Sequence, residues 1–161
     1  MATALSNLSE YDASKVPNCN GAKVALVISE WNEEITSGLA KGAIETLTKH
    51  GVDDEDIIVR HVPGAFELPL GAQMVLEKDE ELDAVICIGC VIQGQTKHFD
   101  FVCQGTTQGI MDVGLNYALP VIFCVLTDNT IEQSRARSGG EHGNKGVEAA
   151  VTALKMIHFN H

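Results

Sequence analysis

No stretch of this chain approaches eighteen consecutive apolar residues, so nothing in it reads as a membrane-spanning helix. Positive charge is also scarce. Eleven Lys and Arg stand against 22 Asp and Glu, a formal net charge of −11. Nucleic-acid binding calls for a basic face, and this balance excludes it. The same acidity gives no general attraction to anions, so a phosphate ligand must be held by a few local donors. The opening segment, MATALSNLSEYDASKVPNCNG, lacks the basic stretch and apolar core of a secretory signal, and a cytoplasmic protein is expected. Five cysteines are an odd number. Cys87, Cys90, Cys103 and Cys124 sit within apolar runs and read as buried reduced thiols. Cys87 and Cys90 have C-x-x-C spacing, but on a strand their side chains point to opposite faces, which discounts metal or redox chemistry there. His142 beside Glu141 has no second pair at ligand spacing, so no metal is expected. There is no internal repeat and no low-complexity segment.

What is present is a chain of 161 residues, 45% hydrophobic and 20% charged, enough for one domain with a substantial core. Residues 1–20 are polar, without sustained period, and read as an arm, extended and ordered by a neighbouring subunit; the domain proper is expected over residues 21–161. Ala22–Ser29 is a continuous apolar strand of the buried parallel kind. A helix follows, with Asn32 as N-cap and Ile35, Leu39, Ala43 and Leu47 on one apolar face. Asp56–Val62 is a second strand. After a Pro-Gly turn, Pro69 fixes a helix start close to Phe66, because proline is tolerated only in the first turn. The third strand is the run DAVICIGCVI. The next helix carries Val102, Thr106, Ile110, Val113 and Tyr117 on one side, with Gly105 and Gly109 allowing close packing. Pro120–Thr127 is the fourth strand. A short helix near TIEQSRAR and a last one from about Asn144 to His158 complete the order. The last buries Val147, Ala150, Val151, Leu154 and Ile157. Strands alternating with amphipathic helices imply parallel βαβ units, a four-stranded parallel sheet and helices on both faces. Ligands of such sheets bind beyond the carboxyl ends of the strands.

The stretch Gly89–Asp100, GCVIQGQTKHFD, leads from a strand through a Gly-containing loop to a helix start. Helix N-termini attract anions because the first N–H groups lack partners and the dipole is positive there. Thr96 adds a hydroxyl and His98 a side chain suited to proton transfer near neutral pH. Trp31, the one tryptophan, lies just past a strand end and is either core packing or a platform for a flat heterocycle. Glu67, in an apolar segment, is either solvated or aimed at ligand hydroxyls. Arg135 and Arg137 read as solvated charges on a short helix. The GEHGNKG loop is a flexible turn or a source of backbone and Lys145 donors. Asp100 stands two residues from His98, where helix side chains do not face one another, and is set aside.

Taken in order and spacing, VPGAFELP, GCVIQGQTKHFD, PVIFCVLT and RSGGEHGNKGVEAA resemble the lumazine synthase family over nearly the whole chain after the arm. The resemblance implies a flavodoxin-like three-layer αβα sandwich. It also implies condensation of 5-amino-6-ribitylaminouracil with 3,4-dihydroxy-2-butanone 4-phosphate to 6,7-dimethyl-8-ribityllumazine, the penultimate step of riboflavin biosynthesis, with no cofactor and no metal. By the same resemblance Trp31 stacks on the pyrimidine and Ala65 and Phe66 supply backbone contacts. Glu67 holds ribityl hydroxyls, and Val91 and Ile92 meet the ring edge through main-chain groups. Gln95, Thr96 and Arg137 bind phosphate, Phe123 and Lys145 complete the pocket, and His98 transfers protons. Phe123, Arg137 and Lys145 are expected from a neighbouring subunit. Gln95 and the Glu141-His142 pair depart from the family's commoner residues. Self-association into pentamers, a 60-subunit shell and a partnership with riboflavin synthase are implied as well. Two other readings share the fold: a non-catalytic flavin- or lumazine-binding shell protein, and a monomeric FMN carrier.

Overall fold

The computed structural model describes residues 7–160. Residues 1–6 of the expected arm lie outside them. The sheet has four parallel strands, β1 (Val24–Ser29), β2 (Ile57–Val62), β3 (Ala84–Ile92) and β4 (Val121–Asp128), in the order β2-β1-β3-β4. The two central strands explain the continuous apolar runs, because parallel strands covered on both faces bury every side chain. Leu26, Ile28, Ile86 and Ile88 face one side. There they meet α1 (Glu33–Lys49), through Ile35, Leu39, Ala43 and Leu47, and α5 (Lys145–Asn160), through Ala150, Val151, Leu154 and Ile157. Ala25, Val27, Val85 and Cys87 face the other side, against Leu68, Ala72 and Leu76 of α2 (Leu68–Lys78) and Ile110 and Val113 of α3 (His98–Tyr117). The result is a three-layer αβα sandwich, as the alternating pattern implies.

Chain order places the functional cleft. From β1 the chain goes to β2 on one side and then returns to β3 on the other, so the strand order reverses between β1 and β3. Crevices for ligands open at such points, beyond the carboxyl ends of the strands. Here β1 stops pairing with β3 at Ile28↔Ile88, whereas β3 continues beside β4 as far as Ile92↔Asp128. The last residues of β3 therefore project past β1 with one edge uncovered.

Close approach on the α2 side depends on glycine. A Cβ on Gly71 would lie 2.8 Å from Val62 Cγ1 and 2.9 Å from Val27 Cγ1, both stiff β-branched side chains. Gly71→Ala is expected to cost about 1–3 kcal/mol through overpacking, read as a lower midpoint in thermal unfolding.

Several local details differ from expectation. Asn32 stands at the N-terminus of α1, but in a left-handed conformation and without a capping bond. Its amide instead donates to the Cys90 carbonyl at 2.9 Å, since the turn out of β1 holds the side chain over the end of β3. Cys103 is only half-buried, because it lies on a helix rather than a strand; the other four cysteines are buried. Burial raises the thiol of Cys87 far above its ordinary value and that of Cys124 to about 12, which keeps both protonated. The Gly-rich loop is not a loose turn. It forms an antiparallel hairpin of β5 (Ser138–Gly140) and β6 (Gly143–Asn144) after α4 (Ile131–Arg137). Asn144 pins it, its amide donating to Gly38 O at 2.8 Å and its Oδ1 accepting from Gly146 N at 2.8 Å.

Residues 7–20 lie on their own chain. Leu8 N donates to His142 O at 2.8 Å, and Asn144 N donates to Ser9 Oγ at 2.9 Å. Val16 and Cys19 join the core, and Cys19 Sγ lies 3.6 Å from Leu154 O of α5. Tyr11 Oη and His50 Nε2 are 3.2 Å apart. Burial, with a smaller contribution from Lys49, holds His50 below its ordinary pKa of 6.5. A base with a depressed folded-state pKa contributes full stability above 6.5 and loses it as pH falls from there through the folded value. Thermal stability should therefore fall between pH 7 and pH 5, and fall less steeply in His50→Gln.

Candidate active site

The uncovered end of β3 forms the floor of a cavity of about 560 Å³. Three segments surround it. The first is the turn after β1, which carries Trp31 and Asn32. The second is the single 3₁₀ turn Ala65–Glu67 after β2, preceded by Gly64. The third is the start of α3, with His98, Phe101 and Val102. Cys90, Val91 and Ile92 complete the lining.

Each wall has a local cause. Thr106, fully buried on α3, donates from Oγ1 to Ala65 O at 3.1 Å and fixes the 3₁₀ turn against the helix. Gly105 lets the Phe66 ring lie on the same helix, since a Cβ there would be 2.8 Å from Phe66 Cε2. Gly64 keeps space between two other walls: its Cβ would stand 2.9 Å from Glu67 Oε2 and 3.4 Å from Trp31 Cδ1. The Glu67 carboxylate and the Trp31 indole thus converge at one corner. Trp31 is 73% exposed, Phe66 60% and Phe101 69%. Aromatic faces this open beside a concave site suit a flat ligand.

The other end of the site lies at the head of α3. Gln95, Thr96 and His98 are exposed in and just after the loop from β3. Thr96 Oγ1 accepts from His98 N at 3.4 Å, a long bond that an incoming anion can replace. α3 is 20 residues long, and Lys97 at its N-cap position makes no side-chain capping bond. Asp100 N already donates to Lys97 O at 3.0 Å, so the attraction of this helix start for an anion rests mainly on the positive end of its dipole.

The cavity therefore brings together Trp31, Ala65, Phe66, Glu67, Val91, Ile92 and His98; Gln95 and Thr96 stand in the loop that leads to His98 and do not line the cavity. Phe123, Arg137 and Lys145 do not line it. Phe123 faces a second cavity of about 370 Å³, with Met111, Leu115, Met156 and Phe159. Half-buried Arg137 at the end of α4 donates from Nη1 to Gln133 O at 2.9 Å. Lys145 Nζ lies 2.6 Å from Glu148 Oε1. Sequence reasoning did not single out Asn32, Gly64, Cys90, Phe101 or Val102 for the site. Phe101 was accessible, being one helical turn from His98. Asn32 was not, because its role depends on a backbone angle that residue type alone does not fix. Among the described residues no group of three or more His, Cys, Asp or Glu is placed to hold a metal ion, and no helix is long and apolar enough to cross a membrane.

A parallel sheet sandwiched by helices, with an aromatic platform, a carboxylate and a histidine around a cleft at its switch point, defines an enzyme site of the flavodoxin-like αβα class. Residues 21–161 match the family described as 6,7-dimethyl-8-ribityllumazine synthase. The chain is 56% identical to the 6,7-dimethyl-8-ribityllumazine synthase of Christiangramia forsetii over 156 residues, covering 97% of this chain and 93% of that protein. It is 54% identical to the enzyme of the same name from Parabacteroides distasonis, over 99% of both chains. The Porphyromonas gingivalis protein of that name is also 54% identical, over 97% of this chain and 96% of its own. The chain belongs to the 6,7-dimethyl-8-ribityllumazine synthase family.

Proposed function

We propose that this protein condenses 5-amino-6-ribitylaminouracil with 3,4-dihydroxy-2-butanone 4-phosphate to 6,7-dimethyl-8-ribityllumazine, releasing phosphate and water. The observation that carries the site assignment is the convergence of Trp31, Glu67 and His98 on one cavity beyond β1 and β3. The indole stacks on the pyrimidine, and the Glu67 carboxylate accepts hydrogen bonds from ribityl hydroxyls. The N–H groups of Ala65 and Phe66 open a 3₁₀ turn and have no partner within it, which suits them to contact the ligand.

The chemistry follows from holding the two substrates together. The 5-amino group attacks the ketone carbonyl, and loss of water gives an imine. Removal of the proton on the adjacent carbon expels phosphate from the next one. The resulting enol takes a proton on its terminal carbon and becomes a ketone. The ribitylamino nitrogen closes on that ketone, and a second water leaves. His98 moves the protons in the elimination and in the enol-to-ketone step, while Gln95, Thr96 and the N-terminus of α3 hold the phosphate. Enforced proximity removes much of the barrier, up to about 7–11 kcal/mol for the best-aligned intramolecular cases.

The same proposal includes self-association into pentamers, assembled in turn into a 60-subunit shell. Phe123, Arg137 and Lys145 of the neighbouring subunit then complete the pocket. In support, all three lie away from the cavity of their own chain, and Met111, Leu115 and Phe159 are exposed apolar side chains. Riboflavin synthase, which consumes the product, is the proposed partner, and the cytoplasm the proposed location. Mixing both substrates with purified protein is expected to produce fluorescent lumazine, and light scattering to give a mass of 60 chains. Tight binding of FMN to a monomer, without turnover, would contradict both parts.

A further inference from the structure

We propose that Asn32 is a positioning residue of the pocket, setting the distance between the Trp31 indole and the exposed main-chain edge of β3; this rests on the pyrimidine-binding reading above. Asn32 and Ala118 are the non-glycine residues with positive φ among those described. Ala118 follows the C-terminus of α3, where a left-handed residue is usual. Asn32, with φ 60° and ψ 48°, precedes a helix, where extended backbone is the rule. Asparagine is among the few side chains that adopt this conformation at modest cost.

What the conformation achieves is visible in the sheet ladder. Alternate residues of a strand address opposite neighbours. Gln93 N donates to Asp128 O, so Val91 and Gln93 address β4, whereas Cys90 and Ile92 address the side that β1 has left. The Asn32 carboxamide donates to Cys90 O at 2.9 Å and so takes the place of a β1 residue in the ladder. Ile92 is the next position along that edge, and it lines the cavity. One residue thus holds the end of β3 through its side chain and aims Trp31 through its backbone. The indole offers a face and Ile92 an edge, the two contacts a flat heterocyclic amide needs.

Three variants separate the two functions. Asn32→Gly keeps the left-handed backbone and removes the donor. Asn32→Ala loses both, and Asn32→Asp sets an oxygen against the Cys90 carbonyl. In Asn32→Gly the KM for the pyrimidine is expected to rise about five- to tenfold, the scale of one lost hydrogen bond. Asn32→Ala and Asn32→Asp should raise it further, and in all three kcat should fall much less than KM rises. Because Trp31 is the one tryptophan, its fluorescence anisotropy decay reports this position without any ligand. A larger fast component is expected in Asn32→Ala and Asn32→Asp. A wild-type KM, or decays superimposable on wild type, in Asn32→Asp overturns the proposal. If the native protein turned over neither substrate while the decays separated as expected, the reaction assignment would fail and the positioning role would stand.

Discussion

Arg137→Ala is expected to raise the KM for the phosphate-bearing substrate about 100-fold and to leave the KM for the pyrimidine nearly unchanged. The chain carries a formal charge of −11, so long-range attraction offers a phosphate ester nothing. Local donors must supply the binding, and a guanidinium matches a phosphate with two parallel hydrogen bonds. Truncating one partner of such a pair costs about 2–5 kcal/mol, which spans the effect named. The bond from Arg137 Nη1 to Gln133 O holds the side chain along α4, so little order has to be created when the anion arrives. Arg137→Lys should recover only part of the loss, because an ammonium keeps the charge without the planar fork. Steady-state kinetics with each substrate varied in turn separate these outcomes. An unchanged KM for the phosphate ester in Arg137→Ala would remove this residue from the phosphate site.

His98→Ala is expected to lower kcat about 100-fold, the lower end of what general acid–base catalysis contributes. Two features set that level. His98 is exposed at the head of α3, so water can take over part of its proton traffic. The remaining acceleration comes from holding two reactants in one cavity, and that survives the substitution. The KM for the pyrimidine should change little, since Trp31, Glu67 and the end of β3 are untouched. Single-turnover product fluorescence at saturating substrates gives the number. Wild-type turnover in His98→Ala would mean that protons move by another route.

Much of the fold was legible because its signals are strong and local. The apolar stripe Ile35, Leu39, Ala43 and Leu47 is fully buried as its spacing requires. The start of α3 at His98 follows from the change of period after the Gly/Gln/Thr loop, and Pro69 marked the head of α2. Strand ends shifted by one or two residues, since pairing partners and not the strand's own residues decide where a ladder stops. What escaped depends on three-dimensional context. The β5–β6 hairpin has little apolar content, and Asn144 holds it by a bond to Gly38 of α1, a helix distant in sequence. The slot for Cys19, beside Leu154, exists only once α5 has packed on the sheet. The cavity's three walls come from turns after β1 and β2 and from the head of α3, so only the order of the strands could place Trp31 beside His98. Phe123, Arg137 and Lys145 show the complementary case. Their chemistry suits the reaction, but the residues of one chain do not bring them to its pocket.

Crystals soaked with 5-amino-6-ribitylaminouracil and inorganic phosphate address the central claim most directly. The pyrimidine should stack on Trp31, with its edge on the Ile92 peptide, its ribityl chain at Glu67, and the phosphate beside Thr96 at the N-terminus of α3. A pyrimidine seated instead among Met111, Leu115 and Phe159, with Trp31 and His98 left uncovered, would contradict it.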